Sequence, residues 1–301
     1  MTARIDTTVI LGLGLIGGSL ARALKARGFS ARVIGHGHRE ASLARGVELG
    51  VIDDYTMDLN AALEGADVVV VATPTLVAAG MLERILPLYA GREEAMPVIT
   101  DVASVKGNLQ RAAQGAWGGR MPPRLVLGHP IAGSERSGVE ASRADLFRNH
   151  RVILTPDADN EPAAVQLVRD MWLATGAEVV DMSVASHDAV LAATSHLPHM
   201  LAYALVDALA QSPASDDIFR FAAGGFRDFT RIASSDPVMW RDIAIANREA
   251  VLATIDQFSG HLAALRKAVD TQDAEGMLQT FSRAKAARDE FAAMLEARQR
   301  N

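Results

Sequence analysis

Hydrophobic residues fall along this chain in two textures. Through about residue 183, short apolar runs alternate with amphipathic stretches. Thr8-Val9-Ile10-Leu11 reads as a strand buried on both faces, and 15–27 reads as a helix ending at Gly28. Residues 32–35 are a second expected strand, followed by a helix over 40–49 that ends at Gly50. The run 66–72, with four consecutive valines, is a third strand, and 76–88 returns as a helix. Strands are expected at 98–101 and 125–127 with a helix over 105–114 between them. Late strands at 151–155 and 178–181 flank a helix over 161–175 and are expected to extend the same sheet. Strands alternating with helices at this spacing give a parallel sheet covered on both faces.

After residue 183 strand patterns stop and alanine- and leucine-rich helical runs take over. Residues 259–269 and 274–298 are amphipathic and charged on one side. The expected organisation is therefore α/β: a Rossmann-type parallel-sheet domain over 1–183, then an all-helical domain over 184–301. Helices this apolar in a small domain need more covering than the domain supplies, so a homodimer through the helical half is expected.

Composition narrows the function classes. The chain has 301 residues, 49% hydrophobic and 22% charged, with a formal net charge of −6. That balance, with no long basic run, argues against a nucleic-acid partner. The absence of cysteine excludes disulfides and thiolate metal sites. The N-terminus meets its glycines too soon to be a signal peptide. The uncharged stretch 68–82 contains Pro74 and falls short of the ~20 residues a membrane span needs. A cytoplasmic, membrane-free protein is expected.

The segment GLGLIGGSL, residues 12–20, follows the first strand and opens the first helix. Gly12, Gly14 and Gly17 fit G-x-G-x-x-G. The first glycine serves a tight turn, the second a close approach of the backbone to a pyrophosphate, and the third close helix–strand packing. The helix N-terminus, at Leu15 and Ile16, offers free N–H groups to phosphates. No Gly-Lys-Ser/Thr follows, so the turn is not a P-loop. Thr73 and Pro74, at the end of the third strand, are placed with the cofactor too. The second strand ends Ile34-Gly35-His36-Gly37-His38-Arg39, with no carboxylate at its tip for a ribose. Arg39 and His38 suit a 2′-phosphate or are a solvated loop charge. NAD or NADP is expected, with a lean to NADP.

Three further segments carry candidate chemistry: DVASVKG at 101–107, GHPIAGSERSGVEAS at 128–142, and SHLPHMLAYALVD at 195–207. Ser104 and His129 stand at carboxyl ends of strands, where ligands of open α/β sheets bind. Ser104 also reads as a helix N-cap before Val105. With GLGLIGGSLA at 12–21 and GGFRDFTRIASSDPVMWRDI at 224–243, these motifs make the whole chain resemble the prephenate/arogenate (cyclohexadienyl) dehydrogenases of tyrosine biosynthesis.

That resemblance implies an oxidative decarboxylation. Hydride passes from the hydroxyl carbon of a cyclohexadienol to the nicotinamide, the hydroxyl proton goes to a base, and carbon dioxide leaves. His129 matches the family's catalytic histidine, and Ser104 the serine that hydrogen-bonds it or the hydroxyl. Arg231 matches the arginine that pairs with the substrate carboxylate, a pairing that fixes orientation as well as charge. Asp228, three residues earlier, is spaced to sit beside it. His199 matches a histidine facing substrate, with Ser195 one turn before it, and Glu135 an acid that gates the pocket. His196 and Trp240 are expected to pack. His196 and His199 have spacing compatible with metal ligands, but the family uses no metal, and none is expected. A fused chorismate mutase or ligand-sensing module is not expected, so tyrosine inhibition would act at the active site. Prephenate and arogenate are both left open as substrates. A β-hydroxyacid dehydrogenase is the rival enzyme reading, although Lys267 and Lys285 lie far down the C-terminal helices. A non-catalytic NAD(P)H-binding regulator is the other rival.

Overall fold

A computed structural model describes residues 5–133 and 136–300. The chain forms two compact units, Met1–Val251 and Leu252–Asn301.

The first unit opens with strand β1 (Ile5–Leu11), helix α1 (Leu15–Ala26), β2 (Ser30–His36) and α2 (Glu40–Glu48). A short strand β3 (Asp54–Thr56) and a short helix α3 (Leu59–Leu63) follow. Next come β4 (Val68–Val71), α4 (Thr75–Ile85), β5 (Val98–Asp101), α5 (Gly107–Ala116) and β6 (Leu125–Pro130). Then β7 (Arg151–Thr155), α6 (Pro162–Ala174) and β8 (Glu178–Asp181) complete one eight-stranded sheet of order β3-β2-β1-β4-β5-β6-β7-β8. Strands β1 to β6 are parallel to their neighbours, β7 pairs antiparallel with β6, and β8 is parallel to β7. The late strands thus do extend the sheet, with reversed direction.

Alternation along the strands divides the core. Ile10, Val68, Val70 and Leu154 join one buried cluster, while Val9, Leu11, Val69, Val71 and Leu127 join the other. All four residues of β4 are buried, as its central place in a doubly covered sheet demands. At β1 the order reverses, with β2 on one side and β4 on the other. The crevice this leaves at the carboxyl ends of the strands is where ligands of such sheets sit.

Sequence patterning misses β3 and α3. Three residues at an edge, with Asp54 exposed, carry no readable period. It also starts α5 too early. The helix begins at Gly107, not near Val105, and Ser104 does not cap it. The backbone N–H groups of Lys106 and Gly107 instead donate to the carboxylate of Asp188, at 2.9 and 2.8 Å. A cap supplied from 81 residues away leaves no local signal.

Helices α7 (Val184–Leu191) and α8 (Leu197–Ala210) are joined by a single π-helical turn over Ala192–His196. Pro198 has no N–H to continue the ordinary ladder, and widened turns of this kind recur at functional sites. The run Val184–Ala210 is long and apolar enough to cross a membrane by length and composition, a stretch the 68–82 argument passes over. Its His187, His196 and Asp188 are hydrogen-bonded to β6, Asn247 and the start of α5. The unit continues through α9 (Ser215–Arg220), α10 (Gly224–Thr230) and α11 (Pro237–Ala246), whose Trp240, Ile243 and Ala246 pack with Val105.

Helices α12 (Arg248–Asp270) and α13 (Ala274–Arg300) supply the second unit. Gln272, at φ 57°, turns the chain between them, and Asp273 receives the N–H of Gly276 at the start of α13. Leu262, Val269, Leu278, Phe281, Phe291 and Met294 are all exposed in the single chain.

Candidate active site

The three glycines of the opening turn have separate reasons to be glycine. Gly12 sits at φ +105°, and a Cβ there would lie 2.6 Å from the carbonyl oxygen of Ala72. A Cβ on Gly17 would collide with the carbonyl oxygen of Gly12. Gly14 differs, because nothing lies within 4 Å of the position its Cβ would take. It is also the N-cap residue of α1, with no side chain capping the helix. An open glycine under an uncapped helix N-terminus is a cradle for an anion. Beside it, Thr73 Oγ1 is buried and has no hydrogen-bond partner among the described residues. These features fit a dinucleotide, with Leu15 and Ile16 opening α1 and Pro74 opening α4.

At the tip of β2, the His36 carbonyl accepts the N–H of Gly12, and its ring donates from Nδ1 to the Thr56 carbonyl. His38 and Arg39 are exposed just beyond. The Glu40 carboxylate accepts the Tyr55 hydroxyl at 3.3 Å, and Asp53 takes the Val33 N–H and the Lys25 ammonium. Both of these carboxylates are already engaged.

His129 lies on β6, one residue before its end, and is buried. Its Nδ1 is 2.9 Å from Nε2 of His187 on α7, and His187 Nδ1 is 2.8 Å from Asp188 Oδ1. Burial pushes the His129 ring well below the ordinary imidazole range. The neighbouring His187, Lys106 and His196 push it further in the same direction. Behind it, Lys106 is fully buried, and its Nζ donates to Asp101 and to the Gly128 carbonyl. The other Asp101 oxygen accepts the Gly128 N–H at 3.0 Å. One buried ion pair thus grips both backbone polar groups of the residue preceding His129.

His196 is buried, and its Nδ1 accepts from the Asn247 amide, which also donates to the Asp188 carbonyl. Burial lowers the His196 ring to about 4. His199 is stacked on Trp240 with ring centroids 3.5 Å apart, and its Nδ1 donates to the Ser195 carbonyl. Ser195 therefore contributes its backbone. Burial lowers the His199 ring, and the cation of Arg231 adds to that effect. Electrostatic neighbours run without a break from His129 through His196 and His199 to Arg231.

The other expected site residues are placed as follows among the described residues. Ser104 is half-buried, and a bond from it to His129 is not found among the described residues, where His129 Nδ1 is taken by His187. Asp228 is exposed, and its carboxylate takes the adjacent Arg227 at 3.1 Å. Glu135 lies outside the described residues. Trp240 packs as expected, but under His199. Sequence reasoning misses His187, Asp188, Lys106 and Asn247. Of these only Lys106 stood inside a quoted motif.

Comparison with known proteins decides the lineage. The domain described as "Prephenate dehydrogenase, nucleotide-binding domain" matches residues 20–181, and "Prephenate dehydrogenase, dimerization domain" matches 183–283. The chain belongs to the prephenate dehydrogenase family. It is 38% identical over 288 residues to a prephenate dehydrogenase of Bacillus subtilis, covering 94% of this chain and 76% of that one. It is 36% identical over 286 residues to a cyclohexadienyl dehydrogenase of Zymomonas mobilis, covering 93% and 94%. Among solved structures, prephenate dehydrogenase from A. aeolicus in complex with hydroxyphenyl propionate and NAD+ superposes with TM-score 0.87 at 35% identity, covering 97% and 100%. Family membership thus joins the glycine cradle and the histidine cluster in one enzyme class.

Proposed function

We propose that this chain catalyses the NAD(P)-dependent oxidative decarboxylation of prephenate, arogenate or both. The observation that carries the reading is His129, a buried neutral imidazole at the carboxyl edge of the sheet that holds the glycine cradle. A nicotinamide nucleotide supplies the hydride acceptor when bound. Gly14 and the N-terminus of α1, on the turn that Gly12 and Gly17 shape, would hold its pyrophosphate, with Thr73 Oγ1 available as a further polar group. His129 accepts the proton of the ring hydroxyl, for which a neutral imidazole is the required form. Arg231 receives a substrate carboxylate, beside a His199 ring that burial, aided by the guanidinium charge, holds below the ordinary imidazole range. Loss of carbon dioxide restores aromaticity and drives the step forward.

The open surface at His38 and Arg39, with Glu40 and Asp53 engaged elsewhere, favours acceptance of a 2′-phosphate, hence NADP alongside NAD. The exposed apolar residues of α12 and α13, together with the matched dimerization domain, support a homodimer and a division of the chain near residue 183. A cytoplasmic location suits such an enzyme.

The test is a grid of two substrates and two cofactors, followed by nicotinamide absorbance. Cofactor reduction with prephenate or arogenate is expected. No reduction in any of the four combinations overturns the reading. Sedimentation as a monomer overturns the homodimer.

A further inference from the structure

The chain of bonds behind His129 determines where its proton sits. Asp188 begins the argument. Its two oxygens accept backbone N–H groups from Lys106 and Gly107, at the positive end of α5. An acceptor of two N–H groups at a helix N-terminus is an ionised carboxylate; burial pushes it up, but the bond to His187 and these two N–H bonds together hold it below the usual carboxylate range. A carboxylate at 2.8 Å requires a proton on the facing nitrogen, so His187 Nδ1 is the donor. Burial keeps His187 neutral, opposed by Asp188, so its single ring proton is spent there and Nε2 is a lone pair. His129 Nδ1 faces that lone pair at 2.9 Å and must therefore carry a proton. His129 is also neutral, which leaves its Nε2 bare.

We propose that His187 and Asp188 are positioning residues that lock His129 in the Nδ1–H tautomer, so that its Nε2 is always the free base. The proposal rests on the reading of His129 as the group that takes the hydroxyl proton. In that step the substrate O–H bond breaks and an N–H bond forms at Nε2. The resulting imidazolium keeps its Nδ1–H bond to His187, and Asp188 stays ionised at the far end. An imidazole without such a partner samples both tautomers, and one of them presents N–H where a base is needed. The same ordering of carboxylate, imidazole and reacting group is known to govern rate through tautomer choice in other enzymes.

The charged and titratable groups around the pair are Asp188 on α7, Lys106 and Asp101 at the β5–α5 corner, and His196 on the π turn. Lys106 opposes protonation of both rings, whereas Asp188 and Asp101 favour it at His187. Lys106 and His196 lie outside the proton order argued above, so variants at His187 and Asp188 report on the lock directly.

The experiment combines ring nitrogen-15 NMR of the wild-type protein with kinetics of Asp188→Asn, His187→Phe and His187→Gln. In wild type, His129 and His187 are expected as Nδ1–H tautomers. Asp188→Asn replaces the carboxylate by a neutral amide, weakens the hold on the His187 Nδ1 proton, and is expected to lower kcat at least about tenfold while KM and cofactor Kd change little. His187→Phe removes the acceptor, so His129 is expected to show a mixture of both tautomers and kcat to fall. His187→Gln, whose amide oxygen accepts from His129, recovers part of the loss. Thermal melting of each variant identifies any that fails to fold. Because Asp188 also caps α5, the ring spectrum of His187→Phe serves as the second reading. An Nε2–H tautomer for His129 in wild type, or kcat within about threefold of wild type in folded Asp188→Asn and His187→Phe, overturns the proposal. The tautomers can be read without turnover, so an enzyme inactive on both substrates overturns the functional reading and leaves the lock to be judged separately.

Discussion

The ammonium of Lys106 lies 2.6 Å from the carbonyl oxygen of Gly128, one residue before His129, with no solvent exposure at the lysine. Its second partner, Asp101, is equally buried and accepts the N–H of the same glycine. Removing one member of such a pair strands the other charge, at a cost of about 3–5 kcal/mol. Lys106→Met is therefore expected to lower unfolding free energy by about that much in urea titrations. Asp101→Asn in the same background should return part of the loss. A Lys106→Met protein as stable as wild type would mean that the pair is dispensable.

The glycine turn separates structural from ligand-directed demands. Gly17→Ala drives a methyl into the Gly12 carbonyl, so both thermal stability and cofactor affinity should fall. Gly14→Ala meets open space in the protein, so melting without cofactor should hold while the cofactor Kd rises at least about tenfold. Equal affinity of Gly14→Ala and wild type would remove Gly14 from the pyrophosphate site.

His129→Asn removes the base and keeps a side chain of similar polarity. Turnover should fall roughly 10²–10⁴-fold with cofactor affinity unchanged. Stopped-flow measurement of cofactor reduction, in a single turnover, separates this loss from slow product release.

Much of this is legible in the sequence itself. The strand–glycine–helix opening, the run of valines in β4 and the motif around His129 each carry a local pattern tied to a local physical need. What stayed hidden depends on contacts between distant segments. His187 and Asp188 sit in an unremarkable apolar helix, and only the fold brings them against β6 and the start of α5. The same contact explains why α5 starts two residues later than its periodicity suggests. Lys106 closes the DVASVKG motif with nothing local to mark it as buried, and its burial follows from strand pairing that places Asp101 and Gly128 around it.

Acid should weaken the fold. His129, His187, His196 and His199 all have rings lowered below the ordinary 6.5, to about 4 for His196. The unfolded chain binds these protons near 6.5, whereas the folded chain resists them. Stability is then fully present above pH 6.5 and drains away as pH falls from 6.5 toward 4. Chemical denaturation across that range should show the slope, and His196→Gln should flatten it. A stability that stays level from pH 7 to pH 5 would contradict these lowered rings.

Arg231→Gln probes the other end of the cluster. The substrate KM should rise at least about tenfold, since a charge-assisted pair is lost. The cofactor Kd should not change. The His199 ring, relieved of a neighbouring cation, should titrate at higher pH in NMR. An unmoved His199 titration would place the guanidinium away from that ring.

Asp188 both caps the start of α5 and terminates the pair of imidazoles. Architecture and chemistry therefore draw on a single carboxylate, like two circuits wired through one fuse. Whatever loosens that carboxylate loosens the start of α5 and the imidazole pair together.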